Sequence, residues 1–468
     1  MLFPSNVFLF CFLPVILVLY YIVGGAEQSG KKRIWKNMVL FVGSIIFYAY
    51  GEKWYCLLLL ISILWNWGMG LCINRTCHQP KKQKIYLVLM LAVNLGILFA
   101  YKYLDFVIAN LNRFMKTQIQ PAGLALPIGI SFFTFQAISY CVDVYRKKAD
   151  AQKNPFYVGL YIALFPQLIA GPIVRYESIA LQIEKRKETL DGFTEGVERF
   201  LVGICKKVLL ADIMAIFADR IFNQVTAGES IAVSMAWLGA IAYTLQIYYD
   251  FSAYSDMAIG LGKMFGFSFE ENFNYPYISA SVTEFWRRWH ISLSTWFRDY
   301  VYIPLGGNRG GKWKTYRNLF VVWLLTGIWH GAGWNYVLWG LWYFVFLIIE
   351  KQMPEKRTGI LKVAGHVYTL FVVVIGWTLF RAPSLQIAAT YLKTMFGIGA
   401  ETVFSMTTLF YLKDNWMFFL CAIFFSVPIA EKIRKYKGLY QGLLALLFLI
   451  SLIYIIKGSY SPFIYFSF

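Results

Sequence analysis

Two of the four histidines stand where an imidazole could do chemistry. His330 ends the apolar run Leu319-Phe-Val-Val-Trp-Leu-Leu-Thr-Gly-Ile-Trp-His330 and is followed by Gly331-Ala-Gly-Trp-Asn335. An imidazole inside such a run is costly unless it faces a cavity or a partner. With a reference pKa near ~6.5, it is also the natural general base at neutral pH. Trp329 and Asn335 flank it as supporting candidates, and Gly331 and Gly333 are expected to admit a second backbone or an acyl group. The competing reading is a packed histidine hydrogen-bonded between helices. His290 closes Glu284-Phe-Trp286-Arg-Arg288-Trp-His290, in which Glu284 sits one helical turn from Arg287 and Arg288, a spacing that suits ion pairing. Either this is an interfacial helix with an ordinary salt bridge, or Arg288 and His290 line a polar funnel that receives an anionic donor or orients the acceptor, with Trp286 as a supporting candidate. His78, in a basic loop, and His366, near the start of an apolar segment, have solvated or structural roles.

Other polar residues in apolar surroundings are few. Tyr249, Asp250, Ser252, Tyr254 and Asp256 lie together at the end of one apolar segment. Buried carboxylates need partners, and these are expected to brace the segment carrying His290 rather than react. The stretch Leu305-Gly-Gly-Asn-Arg-Gly-Gly311 could cradle phosphate through backbone amides, but it lacks P-loop spacing and follows no strand; a flexible turn is the preferred reading. No Gly-x-Ser-x-Gly and no Cys–His pair marks a covalent nucleophile. The seven cysteines show no metal spacing beyond a weak Cys72/Cys77/His78 grouping, so no metal is expected.

These residues must be held by a membrane body. The 468 residues are 59% hydrophobic and only 15% charged, against about a quarter charged in a soluble domain, and mean hydropathy is +0.55. That excludes a soluble enzyme, a disordered chain and a disulfide scaffold. The formal charge of +19 sits in short basic runs between apolar stretches, the pattern of cytoplasmic loops rather than of nucleic-acid binding. The run Asn6–Val23 lacks a basic n-region and a cleavage site and is expected to be a spanning helix. Segments near 37–50 and 53–70 form a hairpin hinged at Gly51-Glu52-Lys53, with basic loops at its open ends (Lys31 to Lys36 and Arg75 to Lys84). Both ends then lie in the cytoplasm, and the hinge and the amino terminus outside. Basic stretches 146–153, 351–357 and 432–437 are further cytoplasmic candidates.

Apolar segments continue near 85–101, 125–141, 155–170, 198–218, 231–249, 318–330, 333–349, 362–380, 413–430 and 438–456. Several are shorter than the ~20 residues that cross a hydrocarbon core and must be buried in protein or line a cavity. Residues 262–314 are too polar to span yet rich in aromatics; nine of the 16 Trp fall between Trp286 and Trp342. Rings beside Arg suit a membrane interface or a re-entrant element. The expected fold is all-α and polytopic: one membrane-embedded domain over residues 1–468, about 11 spans by hydropathy-window logic, and short re-entrant segments.

The motifs Phe165-Pro-Gln-Leu-Ile-Ala-Gly-Pro-Ile-Val-Arg175, Tyr248-Tyr-Asp-Phe-Ser-Ala-Tyr-Ser-Asp256, Glu284 to Arg298, Tyr302-Ile-Pro-Leu-Gly-Gly-Asn-Arg309 and Thr326-Gly-Ile-Trp-His-Gly-Ala-Gly-Trp-Asn335 together resemble the membrane-bound O-acyltransferases. The likeness is greatest to the bacterial branch serving alginate O-acetylation, with D-alanyl transfer to teichoic acid as a cousin. It runs from Met1-Leu-Phe-Pro-Ser to Pro462-Phe-Ile-Tyr-Phe, with the core motifs in 165–345. The resemblance implies a ring of transmembrane helices around a thin floor pierced by a tunnel, with His330 as the signature histidine and His290 as the second polar position. It also implies a cytoplasmic thioester donor, acetyl-coenzyme A in the nearer branch and a carrier protein in the cousin, with no bound cofactor. The acetyl group would pass to an extracytoplasmic serine hydrolase-like partner and then to a cell-surface polysaccharide, at the cytoplasmic (inner) membrane. A transporter or flippase also uses broken helices and a midplane polar site, but no pairing between halves is visible and the candidate residues cluster between 248 and 335. A passive scaffold for polymer export would tolerate loss of both histidines.

Overall fold

The structure, a computed structural model, describes residues 1–24, 30–353, 359–458 and 463–464. Residues 354–357 of one basic stretch, and Pro462, Tyr465 and Phe466 of the terminal motif, lie outside the described residues. Every regular element among the described residues is helical, as the apolar patterning predicts. The chain forms two compact units, residues 1–200 with 257–270, and residues 201–256 with 271–468.

In the first unit the expected hairpin is present: helices Gly30–Glu52 and Tyr55–Arg75 turn at residues 53–54, and Lys53 takes a left-handed φ of 44°. The next helix, Pro80–Lys102, pairs with its neighbour through Asn66 and Asn94, each side-chain amide donating to the other's oxygen (3.1 and 2.9 Å). Such an amide pair satisfies polar groups between apolar helices without water. The 155–170 segment breaks at Leu164 into helices Pro155–Ala163 and Phe165–Leu168. The break is satisfied internally, because the Phe165 N–H donates to the Ser44 hydroxyl (3.0 Å) and the Gln167 amide donates to the Tyr161 carbonyl (2.6 Å). Tyr161, Leu164, Phe165 and Gln167 are all buried, as a broken segment in a membrane protein requires.

In the second unit, helices Lys312–His330 and Trp334–Gln352 form a hairpin whose backbones nearly touch. A Cβ on Gly340 would lie 2.3 Å from the Trp323 carbonyl oxygen, and one on Gly327 would lie 2.5 Å from that of Tyr336. Small residues at such a crossing let the backbones approach.

Six helices among the described residues are long and apolar enough to cross a membrane: Arg33–Glu52, Tyr55–Arg75, Pro80–Lys102, Ile360–Arg381, Met406–Phe425 and Lys437–Ile456. Phe8–Val23 is apolar but shorter. The other segments counted towards the expected 11 are shorter, interrupted or more polar, so length and composition alone do not mark them as spans.

Candidate active site

The polar aromatic stretch folds as short helices Val282–Arg288 and Ile291–Phe297 joined at His290. The first is capped twice. Ser281 Oγ accepts from the Glu284 N–H (3.0 Å), and the Glu350 carboxylate accepts from the Val282 and Thr283 N–H groups (2.6 and 2.8 Å). An anion at a helix N-terminus is favourable on both hydrogen-bonding and dipole grounds. Arg288 donates to Glu284 (3.0 Å, one turn away) and to the Asn274 carbonyl (3.1 Å). The Glu284–Arg288 ion pair expected from the spacing is present.

His290 itself takes φ 45°, a left-handed conformation that costs a non-glycine residue about 1–3 kcal/mol and gathers at functional sites. Its neighbours hold it there. The segment from Asn272 to Asn274 runs beside it, with the Ile291 N–H donating to the Asn272 carbonyl and the Asn274 N–H donating to the Arg288 carbonyl (2.9 Å each). The imidazole is 1% exposed. Its Nδ1 lies 3.2 Å from Asn272 Oδ1, and Phe251 meets it edge-on, ring centres 4.5 Å apart.

His330 is the last residue of its helix and is 6% exposed. Trp329, Trp339 and Phe380 surround its ring edge-on, at 4.9, 4.9 and 5.2 Å between centres. Trp329 also stands 6.2 Å from the ring of His290. One buried indole therefore neighbours both imidazoles. Asn335 donates to the Ala382 carbonyl (2.9 Å), tying the start of the Trp334–Gln352 helix to the end of Ile360–Arg381.

Of the two expectations for the aromatic stretch, membrane interface or re-entrant element, burial in protein suits the second. Trp286, Trp289, Trp296, Trp323, Trp329 and Trp339 are buried, as is Trp377 beyond it, and of the tryptophans between 286 and 342 only Trp313 and Trp334 are strongly exposed. Trp286 packs against Trp323 and Tyr343 (4.8 Å each), and Trp289 against Trp377 (4.7 Å). Rings of this size bury more area than any other side chain and fill the interior between short helices.

Two other expectations are corrected. Gly331 does not admit a backbone or acyl group. A Cβ there would lie 2.3 Å from the ring of Tyr336, and one on Gly333 would lie 2.4 Å from Asn335 Oδ1. The space each glycine leaves is already taken by a side chain of the next turn.

Asp250 and Asp256 do not brace the His290 segment. Asp256 pairs with Lys206 (2.7 Å), and Lys207 bridges Asp250 and Asp212 (2.6 and 2.7 Å). Asp250 also accepts from the Ile464 N–H (2.8 Å). A buried carboxylate is held by the nearest cation, and Cys205-Lys206-Lys207 supplies two within an otherwise apolar segment. It is Phe251, the residue between Asp250 and Ser252, that reaches His290. Ser252 is buried, and Tyr249 donates to the Ala422 carbonyl (2.5 Å), which anchors helix Met406–Phe425.

The glycine stretch 305–311 is a succession of turns with positive φ at Gly306, Gly307, Gly310 and Gly311. Two of its carbonyls are occupied, since the Asn318 amide donates to Leu305 and Gly307 (3.2 and 2.9 Å). Lys207, Asn272 and Glu350 are the members of this region that sequence reasoning missed. A Lys–Lys pair inside an apolar run was a usable signal for the first; the other two carry none that a single sequence displays. No group of three or more His, Cys, Asp or Glu able to hold a metal occurs among the described residues.

Comparison with known proteins agrees with the motif reading. The family model for membrane-bound O-acyltransferases matches residues 53–391. The chain is 42% identical to a probable alginate O-acetylase AlgI of Pseudomonas putida over the whole of both proteins. It is 32% identical to a peptidoglycan O-acetyltransferase of Helicobacter pylori, over all of this chain and 98% of that protein. A teichoic acid D-alanyltransferase of Bacillus subtilis is 28% identical over 56% of this chain and 70% of its own length. With its several apolar helices, the chain belongs to the membrane-bound O-acyltransferase family and is a multi-pass membrane enzyme of that class.

Proposed function

We propose that this enzyme moves an acetyl group from a cytoplasmic thioester, acetyl-coenzyme A, through the membrane for O-acetylation of a cell-surface polysaccharide. The observation that carries the reading is the pair of buried imidazoles, His290 and His330, that share Trp329 as a neighbour. In the reaction the thioester C–S bond breaks and a C–O bond forms. His330 takes the proton of the attacking hydroxyl, and the thiolate leaves with coenzyme A. Rings around both histidines exclude water, which favours transfer to the hydroxyl over hydrolysis and holds the reactants in one geometry. His290, its backbone strained and its ring fixed from one side, is the second polar contact for the reacting groups. A donor on one face and a hydroxyl on the other meet where the protein is thin, in a tunnel through a ring of helices.

Full-length identity to an alginate O-acetylase and to a peptidoglycan O-acetyltransferase supports acetyl transfer to a glycan. The D-alanyltransferase match covers about half the chain and supports D-alanyl transfer less. In this scheme an extracytoplasmic serine hydrolase-like partner takes the acetyl group on to the polymer, and the enzyme sits in the cytoplasmic membrane. Purified enzyme in liposomes, given labelled acetyl-coenzyme A and an acceptor, is expected to consume the thioester. A transporter or a scaffold would leave it intact, and that result would refute the reading.

A further inference from the structure

Asn272 belongs to none of the recognised motifs, yet it is fully buried against His290. Its Oδ1 faces three donors. The Ser292 backbone N–H lies 3.1 Å away, the Ser292 hydroxyl 2.9 Å and His290 Nδ1 3.2 Å. The backbone N–H can only donate, so the amide atom facing it is the oxygen and not the nitrogen. His290 Nδ1 points at that same oxygen. A ring nitrogen in hydrogen-bond contact with a carbonyl oxygen must carry its hydrogen, so the neutral imidazole holds its proton on Nδ1 and its lone pair on Nε2.

The arrangement has a cost that packing alone would not require. The Asn272 amide nitrogen is buried and has no hydrogen-bond partner among the described residues, and an unpaired buried donor is destabilising. Leucine, with the same branching and the same number of side-chain heavy atoms, would occupy the site without that loss. What the residue supplies here is its oxygen.

We infer that Asn272 is a positioning residue that locks His290 in the Nδ1–H tautomer, so that His290 acts in acyl transfer by accepting a hydrogen bond or a proton at Nε2. In its neutral form His290 then has no Nε2 hydrogen with which to stabilise a developing oxyanion. Phe251, Phe273, Trp329, the Ser292 hydroxyl and the Asn272 amide, all uncharged, are among the groups that meet the ring. This inference rests on the proposed participation of His290 in the reaction.

The test compares wild-type enzyme with Asn272→Leu, Asn272→Asp and His290→Ala, each purified in detergent and checked for a monodisperse elution profile. Consumption of labelled acetyl-coenzyme A is then followed against pH. Asn272→Leu removes the acceptor and is expected to lower the rate on the order of a hundredfold, the contribution of a positioned proton acceptor. Asn272→Asp keeps an acceptor facing Nδ1 and is expected to restore most of the rate. Its carboxylate favours the imidazolium, so the acid limb of the pH profile should move upward by about one unit or more. Should Asn272→Leu fail to fold, the displaced limb of Asn272→Asp decides the matter alone. An unmoved profile in Asn272→Asp, with His290→Ala inactive, overturns the tautomer assignment. Full activity in His290→Ala overturns instead the participation of His290 on which it rests.

Discussion

The imidazole of His290 and the indole of Trp329 lie 6.2 Å apart between ring centres, although 39 positions separate them in the chain. Because Trp329 directly precedes His330 and also packs on its ring at 4.9 Å, one side chain sets the spacing of both histidines. Trp329→Phe keeps an aromatic ring there and is expected to retain most activity. Trp329→Ala removes the spacer and should cost about a hundredfold in rate, the penalty for a misplacement near 1 Å. Acetyl-transfer kinetics on the two purified variants test this; equal rates would show that the indole does not set the spacing.

Lys207 is 1% exposed at its side chain and serves two buried carboxylates, Asp212 and Asp250. Removing it leaves both without their cation. Lys207→Met should destabilise the protein by roughly 3–5 kcal/mol, the usual result of breaking a buried pair from one side. Adding Asp250→Asn should recover part of the loss by removing one orphaned charge. Thermal unfolding in detergent of the single and double variants measures this, and a double variant less stable than the single would contradict the pairing.

The glycines of the His330 hairpin are not equivalent. At Gly340 an added Cβ meets backbone, the Trp323 carbonyl at 2.3 Å; at Gly331 it meets the ring of Tyr336, a side chain. Backbone cannot rotate away, whereas a ring can shift. Gly340→Ala is therefore expected to lower the unfolding temperature more than Gly331→Ala, with overpacking costs typically of about 1–3 kcal/mol. The reverse order would contradict the close helix crossing.

Glu188 links the chain between two helices to the Gly30–Glu52 helix. It receives bonds from Arg33 and Tyr20, and Lys36 lies 3.4 Å away. Burial alone would raise its pKa, but the bonds from Arg33 and Tyr20 and the charges of Arg33 and Lys36 outweigh burial and hold it below the usual 4.5. A carboxylate with a depressed pKa in the folded state adds stability above its unfolded pKa and loses it as pH falls through the folded one. Glu188→Gln should thus be less stable than wild type at pH 7, and the difference should shrink on acidification below about pH 4. Unfolding temperatures across that range provide the check; a constant difference would show that the pairing contributes nothing.

Much of this architecture was legible in the chain. The helical class, the hairpin turning just after Glu52 and the Glu284–Arg288 pair follow from local rules: apolar runs, a hinge between basic ends, and spacing along one helix. The five motifs pointed to the family that the comparisons show. What escaped depends on tertiary contact. Asn272 lies 18 positions from the histidine it touches and Glu350 lies 68 from the helix start it caps, so no local pattern marks either. The tryptophans beside Arg suited either a membrane interface or a re-entrant element, because composition carries no direction; most of them are buried. Asp250 and Asp256 announced a need for partners but not which cation would meet it.

The role of His330 as general base is tested most directly by replacing it. Cell-surface polymers from a strain carrying His330→Ala, confirmed as present and folded in membranes, would be analysed by mass spectrometry beside wild type. Loss of acetyl mass, with a rate of thioester consumption down by at least about a hundredfold, is the expected result. Normal polymer acetylation in that strain would contradict it.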